Sequence, residues 1–215
     1  IGHQSLFKKA KEYATENGIA FGVYSFSDSP KFQNPDHSIL TDTQNRISFI
    51  ESFAECDFLC LEQFCTVRDY SPQEFVDYIL EKFNCICCVC GENFTFGKGA
   101  SGKAHMLFEL MKQKGLECIC VESKMFENKV VSSTLIRAMI NNGEVEKATM
   151  LLKCPYGFTS KVLHGARLGH KLGFPTVNQI IPQKLAIPKY AVYSTLVIVD
   201  GKEYMGVTNF GVKPT

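Results

Sequence analysis

The chain has 215 residues, 45% of them hydrophobic, and a formal net charge of +1. That length suits one large core or two modest ones, and the near-neutral, mixed charge gives no global field for nucleic acid or an anionic membrane surface, so any phosphate binding must be local. No apolar run approaches the roughly 20 residues a bilayer span needs, and Ile1-Gly2-His3-Gln4 lacks both a signal-peptide pattern and an initiator Met, which places the expected natural N-terminus upstream.

Leu6, Phe7, Ala10, Tyr13 and Ala14 recur at helical spacing and Gly18 follows, so a helix is expected from Leu6 to near Asn17. Ile19–Phe26 is an apolar run ended by Ser27-Asp28-Ser29-Pro30 and predicts a buried strand. The alternation continues with a helix over Thr43–Ala54, a strand over Phe58–Leu61, a helix over Pro72–Phe83 and a strand over Cys85–Cys90. A further helix is expected over Gly102–Lys114 and a strand over Leu116–Val121. Strands separated by such helices predict an α/β domain with a mostly parallel sheet.

Ser132 is placed to cap a helix that Asn142-Gly143 closes, with Leu135, Ile136, Met139 and Ile140 on its buried face, and Val145–Leu152 forms one more helix. After Pro155 the helical period disappears. Segments 157–163, 174–180 and 191–209 are strand-like, and Asp200-Gly201 between Val192–Val199 and Glu203–Val207 predicts a two-residue hairpin turn. The expected domains are therefore 1–154, α/β, and 155–215, all-β.

Ten cysteines occur, at 56, 60, 65, 85, 87, 88, 90, 118, 120 and 154, without a clean zinc-ligand pair. Cys85-Ile86-Cys87-Cys88-Val89-Cys90 alternates as a buried strand would. Core packing in a reducing cytosol is the preferred reading, over metal binding or redox work.

Three junctions could carry chemistry. Gly91-Glu92-Asn93-Phe94-Thr95-Phe96-Gly97-Lys98-Gly99-Ala100-Ser101-Gly102 joins a buried strand to a helix, and is either an ordinary turn or a loop whose main-chain N–H groups approach an anion. Ser132-Ser133-Thr134 opens a helix with Arg137 one turn in, which suits simple capping or a phosphate site. His3 lies just before the first helix, either as a surface residue or as a contact for a triphosphate.

Gly2-His3-Gln4 resembles the end of the His-x-Gly-His motif of nucleotidyltransferases. Gly91–Gly97 and Ser132–Arg137 resemble the second and third motifs of prokaryotic bifunctional riboflavin kinase/FMN adenylyltransferases. His164-Gly165-Ala166-Arg167-Leu168-Gly169-His170-Lys171-Leu172-Gly173-Phe174-Pro175-Thr176-Val177-Asn178 is similar to the riboflavin kinase signature ending in Pro-Thr-x-Asn, and Asn209–Thr215 to a later kinase motif. The resemblance implies a Rossmann-like nucleotidyltransferase domain with a parallel sheet, followed by an antiparallel β-barrel riboflavin kinase domain that is truncated.

It further implies ATP and Mg²⁺ as cofactors, with riboflavin, FMN and FAD as substrates or products. His3, Ser133, Thr134 and Arg137 would act on the ATP phosphates in adenylyl transfer, and Gly91, Asn93, Phe94, Gly97, Gly102 and Ser132 would shape the nucleotide and flavin surroundings. In the kinase half Gly165, Gly169, Lys171, Gly173, Pro175, Thr176, Asn178 and Asn209 would bind ATP or flavin, with Thr176 and Asn178 holding the metal. Flavins and nucleotides are the expected partners, with no nucleic acid and no membrane, in the cytoplasm.

The sequence departs from the family where Leu135 replaces a common arginine. The first histidine of His-x-Gly-His would precede Ile1, and the kinase catalytic Glu would follow Thr215, so a chain with these ends is expected to be a weak kinase. The rival readings are another nucleotidyltransferase, such as a pantetheine-phosphate or nicotinamide-mononucleotide adenylyltransferase, a non-catalytic flavin-binding regulatory protein on the same fold, and a zinc or redox protein built on the cysteines.

Overall fold

The computed structural model describes residues 1–28, 38–164, 173 and 176–211. Contacts divide the chain into two compact units, Ile1–His37 with Thr43–Ser132, and Ser38–Asp42 with Ser133–Thr215. No helix among the described residues is long and apolar enough to cross a membrane.

In the first unit, α1 (Gly2–Asn17) ends at Gly18, whose left-handed φ of 63° lets its N–H reach the carbonyls of Ala14 and Thr15. Ile19 N–H then bonds Ala14 O at 3.0 Å, and Phe21 N–H bonds the Asp57 carboxylate at 2.7 Å. Ile19 is thus spent on closing the helix and Phe21 on its bonds with Asp57. Strand β1 (Gly22–Asp28) consequently starts three residues later than expected, and pairs in parallel with β2 (Phe58–Gln63) from Gly22↔Phe58 onward. A Cβ at residue 22 would lie 2.1 Å from the tip of the exposed Phe58 ring, so a larger residue there would have to displace that ring.

Helix α2 (Thr43–Ala54) buries Ile50 and Ala54 against Ala14 and Phe21. After the short α3 (Phe64–Val67), α4 (Pro72–Phe83) opens with a full capping box. Ser71 accepts from Glu74 N–H at 3.2 Å, while the Glu74 carboxylate accepts from Ser71 N–H at 2.7 Å. Left-handed Asn84 closes α4, and Cys85 N–H still bonds Leu80 O at 3.3 Å. Strand β3 is therefore Cys87–Gly91, two residues shorter at its start than the sequence suggests.

Strand β3 runs parallel to β6 (Glu117–Val121), with Cys88↔Cys118 and Cys90↔Cys120 in register. Between them lie β4 (Thr95–Phe96), a 3₁₀ turn (Lys98–Ala100), β5 (Gly102–Lys103) and α5 (Ala104–Gln113). Gly102 and Lys103 pair with β4, which delays the helix to Ala104. The core joins Val67, Phe75, Val76, Cys90, Phe96, Ala104, Leu107 and Met111. Fully enclosed Met111 alone gains about 1.5–3 kcal/mol from leaving water. Cys88 and Cys118 pack against this cluster, as the alternating cysteine run implied. A two-stranded antiparallel ribbon, β7 (Met125–Phe126) with β8 (Lys129–Val130), follows.

The second unit begins with α6 (Ser133–Asn142) and α7 (Val145–Leu152), which pack together and bury Ile136, Met139, Ile140, Ala148 and Leu151. Ile39 bridges Leu185 through Ile39 N–H to Lys184 O (2.7 Å) and Ala186 N–H to Ile39 O (2.9 Å). The long hairpin is β9 (Ala191–Val199) with β10 (Lys202–Phe210). Asp200 and Gly201 have φ of 49° and 75°, the two positive angles its two-residue turn needs. The expected strands at 157–163 and 174–180 reduce, among the described residues, to the isolated Leu163↔Asn178 bridge. A side chain takes a carbonyl that a ladder would have used. Gln179 Nε2 donates to Ser160 O at 3.2 Å.

Candidate active site

The glycine loop leaves the carboxyl end of the β3/β6 parallel pair, the edge where open α/β sheets bind ligands. Phe94 N–H bonds Gly91 O at 2.9 Å and Glu92 N–H bonds Val121 O at 3.3 Å, so the turn is clamped to both strands. The Glu92 carboxylate accepts from Ser123 N–H (2.9 Å), a bond that holds its pKa below the usual carboxylate value, and the Asn93 amide donates to Ser123 Oγ (3.2 Å). Ser123 thus organises the loop. Its role was not legible because it joins the loop only when β6 lies beside β3.

The loop's glycines divide by cause. Gly97 (φ 72°, ψ 174°) passes so close to the start of α4 that a Cβ would lie 2.9 Å from Pro72 N. At Gly102 a Cβ would lie 2.8 Å from the Phe96 ring. Both glycines therefore serve close packing within the loop's own frame. Gly91 has an ordinary 4.0 Å distance to Val121 O. Half-buried Phe94 stacks on buried Phe96, with centroids 5.5 Å apart and planes at 13°, which gives the loop a flat aromatic floor.

His3 lies inside the first turn of α1, because the helix begins at Gly2 and not at Leu6. Ile1 O accepts from both Ser5 N–H (3.1 Å) and Ser5 Oγ (2.9 Å), which secures that turn. The His3 side chain is exposed, yet desolvation by nearby protein lowers its pKa. At neutral pH it is accordingly a neutral imidazole with one donor and one acceptor nitrogen.

At the start of α6, Arg137 Nη2 donates to Thr134 Oγ1 at 2.9 Å. Residues three apart share a helix face, so the hydroxyl steers the guanidinium back toward the helix N-terminus. Ser133 and Thr134 are exposed and Arg137 is half-buried, while Ile136, Met139 and Ile140 anchor the opposite face. Leu135 is only half-buried, so three of the four expected core positions are buried. A helix N-terminus, two hydroxyls and a guanidinium make a cationic, donor-rich surface suited to phosphate oxygens. Ser132 ends the first compact unit and Ser133 starts the second.

Among the remaining residues, Gly173 takes a left-handed φ of 78° and Thr176 and Asn178 are exposed. The Asn178 main chain is held by Leu163 N–H at 2.8 Å. Asn209 is exposed on β10 opposite Val192. Gly165, Gly169, Lys171 and Pro175 lie outside the described residues.

Comparison with known proteins matches residues 1–135 to the FAD synthetase family model and residues 152–215 to the riboflavin kinase model. The bifunctional riboflavin kinase/FMN adenylyltransferase of Bacillus subtilis is 32% identical over 220 residues, which cover all of this chain and 69% of that protein. The enzyme of the same description from Listeria monocytogenes is 30% identical, also over the whole chain and 69% of its own length. A solved structure described as a macrolide-efflux protein from Streptococcus pneumoniae superposes with a TM-score of 0.85 at 26% identity, covering all of this chain and 71% of that one.

Proposed function

The chain belongs to the bifunctional riboflavin kinase/FMN adenylyltransferase family, and we propose that residues 1–154 carry the adenylyltransferase and residues 155–215 the kinase part of its chemistry. It is an enzyme of flavin cofactor biosynthesis that uses ATP and Mg²⁺, with riboflavin, FMN and FAD as substrates or products. This family assignment does not favour a non-catalytic regulatory protein.

In adenylyl transfer an FMN phosphate oxygen attacks the α-phosphorus of ATP, forming FAD as the bond to pyrophosphate breaks. A phosphate monoester with a second pKa near about 6 is largely dianionic at neutral pH, so no strong base is needed and catalysis rests on positioning and charge. In our reading Arg137, held by Thr134, neutralises the charge that develops on the phosphates. Ser133, Thr134 and the first N–H groups of α6 donate beside it, and His3 donates from its neutral ring. Ser132 leads into that helix start. The Phe94/Phe96 floor and the main chain at Gly91 and Asn93 then offer the ring-binding surface, with Gly97 and Gly102 keeping the loop in shape.

In the kinase reaction the riboflavin 5′-hydroxyl attacks the γ-phosphorus of ATP and its proton must be removed. Thr176 and Asn178 offer neutral oxygen donors at exposed positions, a set that fits a hard cation arriving with nucleotide phosphates. When bound, Mg²⁺ supplies charge neutralisation there. Gly165, Gly169, Lys171, Gly173, Pro175 and Asn209 belong to the same proposed ATP and flavin surface. The β9/β10 hairpin is the part of the proposed antiparallel barrel that this reading starts from. The same reading assigns the protein to the cytoplasm, with flavins and nucleotides rather than nucleic acid or a membrane as partners.

The observation that carries the proposal is the Thr134–Arg137 pair at the opening of α6. It is tested by separating the two half-reactions. Arg137→Ala should lower FAD formation from FMN by about 10²–10³-fold, the usual cost of one transition-state donor, while FMN formation from riboflavin persists. Asn178→Ala should do the reverse. Equal loss of both activities in each variant would contradict the division of labour.

A further inference from the structure

We propose that Cys85 and Cys88 form a reversible dithiol–disulfide site that reacts with low-molecular-weight disulfides. The pair has Cys-x-x-Cys spacing, Cys85-Ile86-Cys87-Cys88, at the entry to β3. An extended chain would hold residues three apart well separated. Here the chain bends at Ile86, between the two cysteines, and the two Sγ atoms stand 3.8 Å apart. A disulfide needs about 2.05 Å, so closing the bond takes an approach of under about 2 Å, within reach of small χ1 changes.

Cys85 and Cys88 are half-buried, whereas neighbouring Cys90 is only 5% exposed. The 3.8 Å approach of the two sulfurs is what singles out this pair, since Cys56, Cys60, Cys87, Cys118 and Cys154 are half-buried as well. The contact between the two sulfurs lowers the Cys85 pKa and raises that of Cys88. That asymmetry distinguishes an attacking thiol from a resolving one. Cys87 has the opposite environment, since burial and the Glu117 carboxylate push it up to about 11.

The chemistry balances with a small disulfide RSSR as oxidant. The Cys85 thiolate attacks one sulfur, the S–S bond breaks, and one RS⁻ departs and takes a proton from solvent. Cys88 then loses its proton and attacks the Cys85 sulfur, expelling the second RS⁻. Two protein thiols are oxidised and one small disulfide is reduced to two thiols. The product cross-links the strand whose other end is Gly91, the first residue of the proposed nucleotide loop.

The test treats the native protein with oxidised glutathione, quenches with acid, alkylates free thiols and locates the bonds by peptide fragmentation. A Cys85–Cys88 disulfide reversed by added thiol is expected in the unmodified sequence. Cys88→Ser should instead trap glutathione on Cys85, and Cys85→Ser should leave Cys88 reduced. Phenylarsine oxide, a probe for paired thiols, should bind stoichiometrically to the unmodified protein, and that binding should be lost in either variant. Should a variant not fold, the unmodified protein decides the matter alone. Reduced Cys85 alongside glutathionylated, exposed Cys65 and Cys120 would overturn the proposal.

Discussion

Replacing Gly97 by alanine tests whether the loop's shape is dictated by its approach to α4. At φ 72° and ψ 174° the main chain occupies a region open essentially to glycine alone, which costs another residue about 1–3 kcal/mol. The new Cβ would also lie 2.9 Å from Pro72 N and 3.0 Å from Pro72 Cδ. Pro72 cannot yield easily, because the Ser71–Glu74 capping box holds the start of its helix. Overpacking of that kind adds about 1–3 kcal/mol, for a total of about 2–6 kcal/mol. Gly99 supplies the control, since it also has a positive φ (63°) but a methyl group added there would meet nothing within 4 Å. Gly99→Ala should therefore cost only about 1–2 kcal/mol. The chain has no Trp, so urea unfolding would be followed by far-UV circular dichroism. Equal midpoint shifts for the two variants would refute the packing argument.

Met111→Ala should destabilise the first unit by about 2–5 kcal/mol, because a fully enclosed side chain leaves a cavity, and the urea midpoint measures it. Glu62 accepts from Lys82 and Tyr78, and these bonds hold its carboxyl pKa below the usual value. Its contribution is present above the unfolded value of about 4.3 and is lost as pH falls through the lower folded value. Glu62→Gln should flatten part of the acid limb in unfolding midpoints measured between about pH 6 and pH 3. An acid limb identical to that of the unmodified protein would show that Glu62 does not carry it.

Local signals made much of the fold legible. The bounds of α2, α4 and α7 could be read because Ser71-Pro72 opens one helix with side-chain chemistry and apolar periods define the others. Asp200-Gly201 set the β9/β10 turn in the same way. The errors arose where a distant partner decides. Residues 19–21 look like strand, but Ile19 closes α1 and Phe21 bonds Asp57, and Cys85-Ile86 follows the end of α4 before pairing begins. The bend at Ile86 also converts an apparent strand alternation into a thiol pair. In the site, Thr134 and Arg137 were readable together because one helical turn separates them. The reason for Gly97 lies at Pro72, and the partner of Asn93 lies at Ser123, both brought near by tertiary packing.

The most direct measurement is an incubation of the full-length protein with ATP, Mg²⁺ and FMN, followed by chromatography of the fluorescent flavins and assay of pyrophosphate. FAD and pyrophosphate are expected in equal amounts, and FMN when riboflavin replaces FMN as the substrate. Flavin binding without either product would contradict the assignment of both reactions.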